Sequence, residues 1–144
     1  MTDMPRVDFD ELELVISDEQ YMFWKGQPFT GVAVEFFPDG TLRSEVYHVG
    51  GIEHGPSREW YPSGRLMEEK NLWYGGLHGY ARVWDEPGRL ISERIGELGI
   101  GIAEKRWDEQ GRLLMDWHMG PKDNLYDILQ IKRRKWGHLA PPIR

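Results

Sequence analysis

Residues 31–42 read GVAVEFFPDGTL, and the pattern returns as GPSREWYPSGRL at 55–66, GYARVWDEPGRL at 79–90 and IAEKRWDEQGRL at 102–113. The turn glycines of these stretches, Gly40, Gly64, Gly88 and Gly111, lie 24, 24 and 23 residues apart. A fixed period of this length means that one supersecondary unit recurs and that neighbouring copies stack. Within a copy, Arg58 and Trp60 alternate with Glu59 and Tyr61, the period of a strand whose side chains point to opposite faces. Then comes Pro38-Asp39-Gly40, Pro62-Ser63-Gly64, Glu86-Pro87-Gly88 or Glu109-Gln110-Gly111. Each fits a three-residue hairpin loop with glycine in the left-handed region. Such a loop sets Phe36 opposite Leu42, Trp60 opposite Leu66, Trp84 opposite Leu90 and Trp107 opposite Leu113.

Working outward, a second set of turns at Gly50-Gly51, Gly75-Gly76 and residues 99–101 joins each hairpin to the next. The expected fold is mainly β: tandem hairpin repeats of about 24 residues forming one elongated, antiparallel, meandering sheet of about ten strands. Residues 12–24 read as an irregular first arm or cap, because a terminal repeat has one side in solvent. Asp123 is placed to cap a helix, and Leu125, Ile128, Leu129, Lys132 and Trp136 recur on one helical face. The spacing predicts a short amphipathic helix over 124–136, with Gly137 at its end and ordered structure ceasing at Ala140-Pro141-Pro142.

The chain of 144 residues has no cysteine, so it has neither a disulfide framework nor a thiolate metal site. It has no signal pattern and no apolar run of membrane-spanning length, which makes a cytoplasmic protein the simplest reading. The formal charge of −6 is uneven, with seven acids against Arg6 in residues 1–20 and six bases against Asp123 and Asp127 in 121–144. An acidic chain is a poor nucleic-acid or anionic-membrane binder and suits a basic protein partner.

Fourteen residues after each repeat's first residue stands an acid: Glu45, Glu69, Glu93 or Asp116. These four could form an acidic stripe that engages lysines or arginines of a partner. They could equally pair with the repeat's own bases, Arg58, Arg82 and Arg106, or with turn amides. Phe36, Trp60, Trp84 and Trp107 form a recurring column that reads as core. Tyr61, Trp73 and Tyr74 fall outside it and are candidate exposed anchors for a partner. His54 and His78 occupy equivalent positions but lack the third and fourth ligands a metal needs, so a turn-supporting role fits better. No nucleophile-elbow, Walker or Rossmann pattern is present, so the chain reads as a protein without catalytic activity, cofactor or metal.

The pattern G-x-x-x-x-[FW]-[FYD]-x-x-G-x-L, with the turns GGIEHG and GGLHG and the opening GQPFTG at 26–31, resembles the MORN-repeat variant proteins. More narrowly it is similar to the YwqK-type antitoxin family of small bacterial proteins. The likeness covers residues 20–118 and implies an immunity role, in which the protein binds a cognate toxin or effector and protects the producing cell. The residues read as one repeat domain spanning 1–144, with an acidic cap at 1–25, four MORN-like hairpins at 26–120, and a helix and tail at 121–144; the cap and tail lie outside the repeats. A non-catalytic scaffold or a membrane-docking MORN-type module is the alternative. The fourth repeat departs from the pattern, with Ile102 in place of the glycine and a spacing one residue short.

Overall fold

A computed structural model describes residues 4–17 and 20–143. Asp3, Asp18, Glu19 and Arg144, counted in the terminal charge clusters above, lie outside the described residues. The strands in chain order are β1 (Arg6–Asp8), β2 (Glu13–Ile16), β3 (Gln20–Trp24), β4 (Gln27–Pro28), β5 (Gly31–Phe36) and β6 (Leu42–Val49). They continue as β7 (Ile52–Trp60), β8 (Leu66–Trp73), β9 (Gly76–Trp84), β10 (Leu90–Glu97), β11 (Ile100–Trp107) and β12 (Leu113–His118), before the helix α1 (Tyr126–Trp136). Strands β5 to β12 form a long antiparallel meander, and β1 adds to its first edge in parallel, giving nine strands. The expected single sheet is corrected in one respect: β2, β3 and β4 form a separate three-stranded sheet.

The hairpin loops close as their residues require. The N–H of Phe37 donates to Thr41 O and that of Gly40 to Phe37 O, both at 2.8 Å. The same pair of bonds recurs at Tyr61/Gly64, Asp85/Gly88 and Asp108/Gly111. The four turn glycines have φ of 87°, 86°, 101° and 78°, where a Cβ is disfavoured. All four expected cross-strand pairs, from Phe36–Leu42 to Trp107–Leu113, are in register.

Of the second set of turns, Gly50-Gly51 falls where expected and the other two are shifted. Their central pairs are Gly50-Gly51, Tyr74-Gly75 and Leu98-Gly99, with a further one at Lys25-Gly26, each positive in φ at both residues. These are tight two-residue turns of the hairpin-favouring hand. Tyr74 (φ 45°) and Leu98 (φ 53°) are side-chain-bearing residues held in the left-handed region, so something outside the turn must hold them there.

The larger buried apolar groups gather toward the two ends of the array, with Ala81 and Ser57 buried between them. Val7, Phe29 and Ala33 form a buried cluster with Leu12, Met22 and Trp24 packed against it, so the small sheet covers one face of β5. At the other end Leu129 of α1 is fully buried, Lys132 Nζ donates to Leu98 O at 3.0 Å, and Arg133 pairs with Glu97. Phe36, Trp60, Trp84 and Trp107 are not core, contrary to the sequence reading. Phe36 is 50% exposed and the three tryptophans are half-buried. They stand beside the hairpin loops on a stretch of sheet lacking the small sheet's cover, so each ring is shielded chiefly from the sheet side.

Two further expectations are corrected at the carboxy terminus. The helix starts at Tyr126, and Asp123 does not cap it: its carboxylate accepts from Gly120 N–H at 2.6 Å, which makes a local turn instead. Order also persists past Ala140, because Pro141 O accepts a 2.6 Å hydrogen bond from His78 Nε2.

Candidate functional site

The four recurring acids lie in one row across the sheet. Successive partners are Glu45–Arg58, Arg58–Glu69, Glu69–Arg82, Arg82–Glu93, Glu93–Lys105 and Lys105–Asp116, an alternation of sign over seven strands. Arg58 bridges Glu69 at 2.7 Å and Glu45 at 3.5 Å, Arg6 reaches Glu45 at 2.7 Å, and Arg82 meets Glu93 at 2.8 Å. The hydrogen bond that Arg58 Nε donates to Glu69, against a burial penalty and helped by the charges of Glu69 and Glu45, holds the Arg58 pKa above its ordinary value. In the fourth repeat the base of the row is Lys105, and Arg106 turns to Glu104 at 2.6 Å. The row thus carries balanced charge. Asp116 alone ends it at a free strand edge, with His118 Nε2 at 3.2 Å.

The second-turn edge is built from a repeated clamp. Thr30 Oγ1 accepts from Gly50 N–H at 2.9 Å, His54 Nδ1 from Tyr74 N–H at 2.9 Å, and His78 Nδ1 from Leu98 N–H at 3.0 Å. Beside each bond a backbone bond repeats it: Gly51 N–H to Phe29 O, Gly75 N–H to Glu53 O and Gly99 N–H to Leu77 O. Each repeat therefore holds the left-handed turn of the next. The histidines support a turn, as expected, but it is their neighbour's. A backbone N–H can only donate and Pro141 O can only accept, so His78 is the neutral Nε2–H tautomer. Burial lowers the His54 pKa, which favours the neutral ring its acceptor role needs.

The hairpin-loop edge has its own ties. Tyr61 Oη donates to Trp84 O at 2.8 Å, Arg65 reaches Pro87 O, and Arg89 reaches Glu109 O. Asp108 takes hydrogen bonds from Arg112 N–H, the Arg112 guanidinium and Gln110 N–H. The Arg112 backbone bond leads these causes and outweighs burial, holding the carboxyl below the ordinary range. Tyr61 is thus half-buried and engaged in joining two repeats, and it lies apart from the other two candidate anchors.

Trp73 and Tyr74 do come together. Their rings meet edge-on at 5.1 Å, and Tyr74, 58% exposed, lies 4.4 Å from the His54 ring. With Leu98, Lys132, Trp136 and Leu139 they line a cleft of about 910 Å³ between the turn edge and α1. Lys132 is already bonded to Leu98 O, so the cleft offers aromatic and aliphatic surface with the charge at its wall. Sequence reasoning missed Trp136 and Leu139 as neighbours of Trp73, because no periodicity says where a terminal helix docks. It also missed Lys105, although the signal was present: Arg58, Arg82 and Lys105 each stand three residues after their repeat's first residue.

No family model matches the chain, and no solved structure matches it. One curated relative, the immunity protein YwqK of Bacillus subtilis, is 56% identical over 108 residues, covering 75% of this chain and 70% of that protein. Identity at that level over that share of both chains places them in one family. The chain belongs to the YwqK immunity protein family.

Proposed function

We propose that this protein is a non-catalytic immunity protein of the cytoplasm that binds a cognate toxin domain and neutralises it by occluding its surface. The observation that carries the reading is the 56% identity to a protein named for immunity. We read the chain as one domain, 1–144, in which the hairpins of 26–120 are MORN-type repeats between an acidic cap at 1–25 and a helical end at 121–144. The binding surface would combine two parts. Trp73 and Tyr74, with Trp136 and Leu139, offer apolar area in a partly formed cleft, the kind of place where a few side chains carry most of the binding energy. Glu45, Glu69, Glu93 and Asp116 supply acids, but most are matched within their row, so attraction of a basic toxin rests mainly on the chain's overall −6. Tyr61 would act at the opposite edge.

The test is co-expression with the toxic domain encoded beside this gene, scoring survival and complex formation. Wild type should protect and bind at nanomolar affinity or better, on the order of −12 kcal/mol. Trp73→Ala with Tyr74→Ala should weaken the complex by at least about tenfold, as loss of an aromatic anchor does. Reversal of Glu45, Glu69 and Glu93 to lysine should slow association in a salt-dependent way. Absence of protection and of a complex at micromolar concentration would refute the immunity reading for that neighbour. Full protection by both variants would keep the function and move its surface elsewhere.

A further inference from the structure

The last strand of the meander is open along one side. Among the described residues β12 pairs with β11 only, whereas the opposite edge of the sheet ends in the three-residue β1, which follows Pro5. The Met119 N–H bond to Ile102 O fixes the phase of the β11–β12 ladder. In an antiparallel pair the bonding residues alternate, so Met115 and Trp117 turn their backbone groups to β11 while Asp116 and His118 turn theirs outward, and a bulge at Leu114 ends the alternation before Leu113. An edge of this kind is usually blunted by proline, lysine or brevity. Here it is six residues of LLMDWH, with Leu113 52%, Leu114 68% and Met115 39% exposed. Leu42, Leu66 and Leu90, the residues equivalent to Leu113, are more buried than it is, and a further strand follows each of theirs.

The rest of the sheet says what chemistry an added strand would carry. Glu45 is faced by β7 with Arg58-Glu59-Trp60, Glu69 by β9 with Arg82-Val83-Trp84, and Glu93 by β11 with Lys105-Arg106-Trp107. Every acid-bearing strand is followed by one of pattern base–x–Trp, running antiparallel to it. Asp116 is the fourth such acid and is followed by none. We propose that the β12 edge accepts, by strand addition, an extended segment of a partner protein bearing basic–x–aromatic, with its base opposite Asp116 and its ring beside Leu113. A second copy of this chain is the poorer occupant. Its β12 brings no lysine or arginine, and two chains of charge −6 repel. The inference concerns the chemistry of the segment and stands whether or not the partner is a toxin.

The probe is a synthetic peptide with the sequence of β9, GLHGYARVW, titrated into the isotope-labelled full chain and followed by amide NMR shifts. Perturbations should centre on Asp116 and His118. The Arg82→Glu form of the peptide should bind about fivefold more weakly, since like charges directly opposite destabilise a strand pair. The protein variant Asp116→Lys, altered at an exposed side chain, should reverse that preference and so separate recognition from any loss of fold. Absence of binding, shifts centred elsewhere, or equal binding of both peptides to both proteins would overturn the proposal. Sedimentation showing a peptide-free dimer through the same amides would overturn it in favour of a second copy.

Discussion

Replacement of His78 measures what holds one repeat to the next. The ring is 7% exposed and makes two hydrogen bonds, from Leu98 N–H at 3.0 Å and to Pro141 O at 2.6 Å. In His78→Ala the Leu98 amide, on a residue only 6% exposed, loses its acceptor. A buried donor left unsatisfied costs about 1–3 kcal/mol, and the second bond about 0.5–1.5 kcal/mol. The sum is roughly 1.5–4.5 kcal/mol, a large share of the 5–15 kcal/mol that a typical domain has. Leu98 sharpens the effect, since a side-chain-bearing residue at φ 53° is itself unfavourable and the lost bond no longer offsets that cost. His78→Asn separates the contributions, because its amide oxygen can stand where Nδ1 was. It keeps the Leu98 bond, gives up the Pro141 bond, and should cost about 1 kcal/mol. The chain contains its own precedent, as Thr30 Oγ1 does the same work for Gly50 N–H. The assay is urea unfolding of wild type and both variants with m-values compared. Equal losses in the two variants, or less than about 1 kcal/mol for His78→Ala, would refute the clamp.

Other outcomes follow from the same geometry. Phe36→Ala, at a half-exposed ring, should cost under about 1 kcal/mol, and Trp84→Ala about 1.5–3 kcal/mol for its half-buried indole, both by chemical unfolding. A loss above about 4 kcal/mol for Trp84→Ala would restore the column to the core. His48 and His54 are both held below the ordinary value of 6.5, chiefly by burial. The unfolded chain therefore binds more protons than the folded one below that value, so their stabilisation is full above pH 6.5 and declines as pH falls through it. Unfolding midpoints at pH 7.5 and 5.5 should show the decline, reduced in His54→Asn, and a rise on acidification would contradict it. A double-mutant cycle on Arg58 and Glu69 should give a coupling of about 0.5–1 kcal/mol that weakens with salt, since both side chains are over a third exposed.

The repeat was legible because its signals are local. A loop closed by Phe37 and Gly40 needs only its own residues, and the aromatic–leucine register follows from loop length alone. Gly50-Gly51 was read in place, but the next turn was misplaced by one residue because Gly75-Gly76 looks like the natural centre of a tight turn. The structure instead centres on Tyr74-Gly75, with the tyrosine in the left-handed region and its amide held by His54, twenty residues away. Local preference pointed to one pair, and a contact between repeats selected the other. The small sheet was illegible for a related reason: β2, β3 and β4 belong to no repeat, and their partners are set by the burial of Phe29 and Met22 against the first hairpin.

A repeat also explains why its own recurring residues are weak guides to a partner site. Whatever recurs at a fixed period meets an equivalent neighbour at that period, so the recurring acids find the recurring bases, and the recurring histidines find the recurring turns. The proposed recognition sites lie where the translation breaks. One such place is the cleft between α1 and the turn edge, which Trp136 lines together with Trp73 and Tyr74. The other is β12, where the shortened fourth repeat ends the row on Asp116 and leaves Leu113 without the next strand. If that logic holds, changes that restore the period should cost binding without costing fold. Changes inside the array, such as Glu69 with Arg58, should do the reverse.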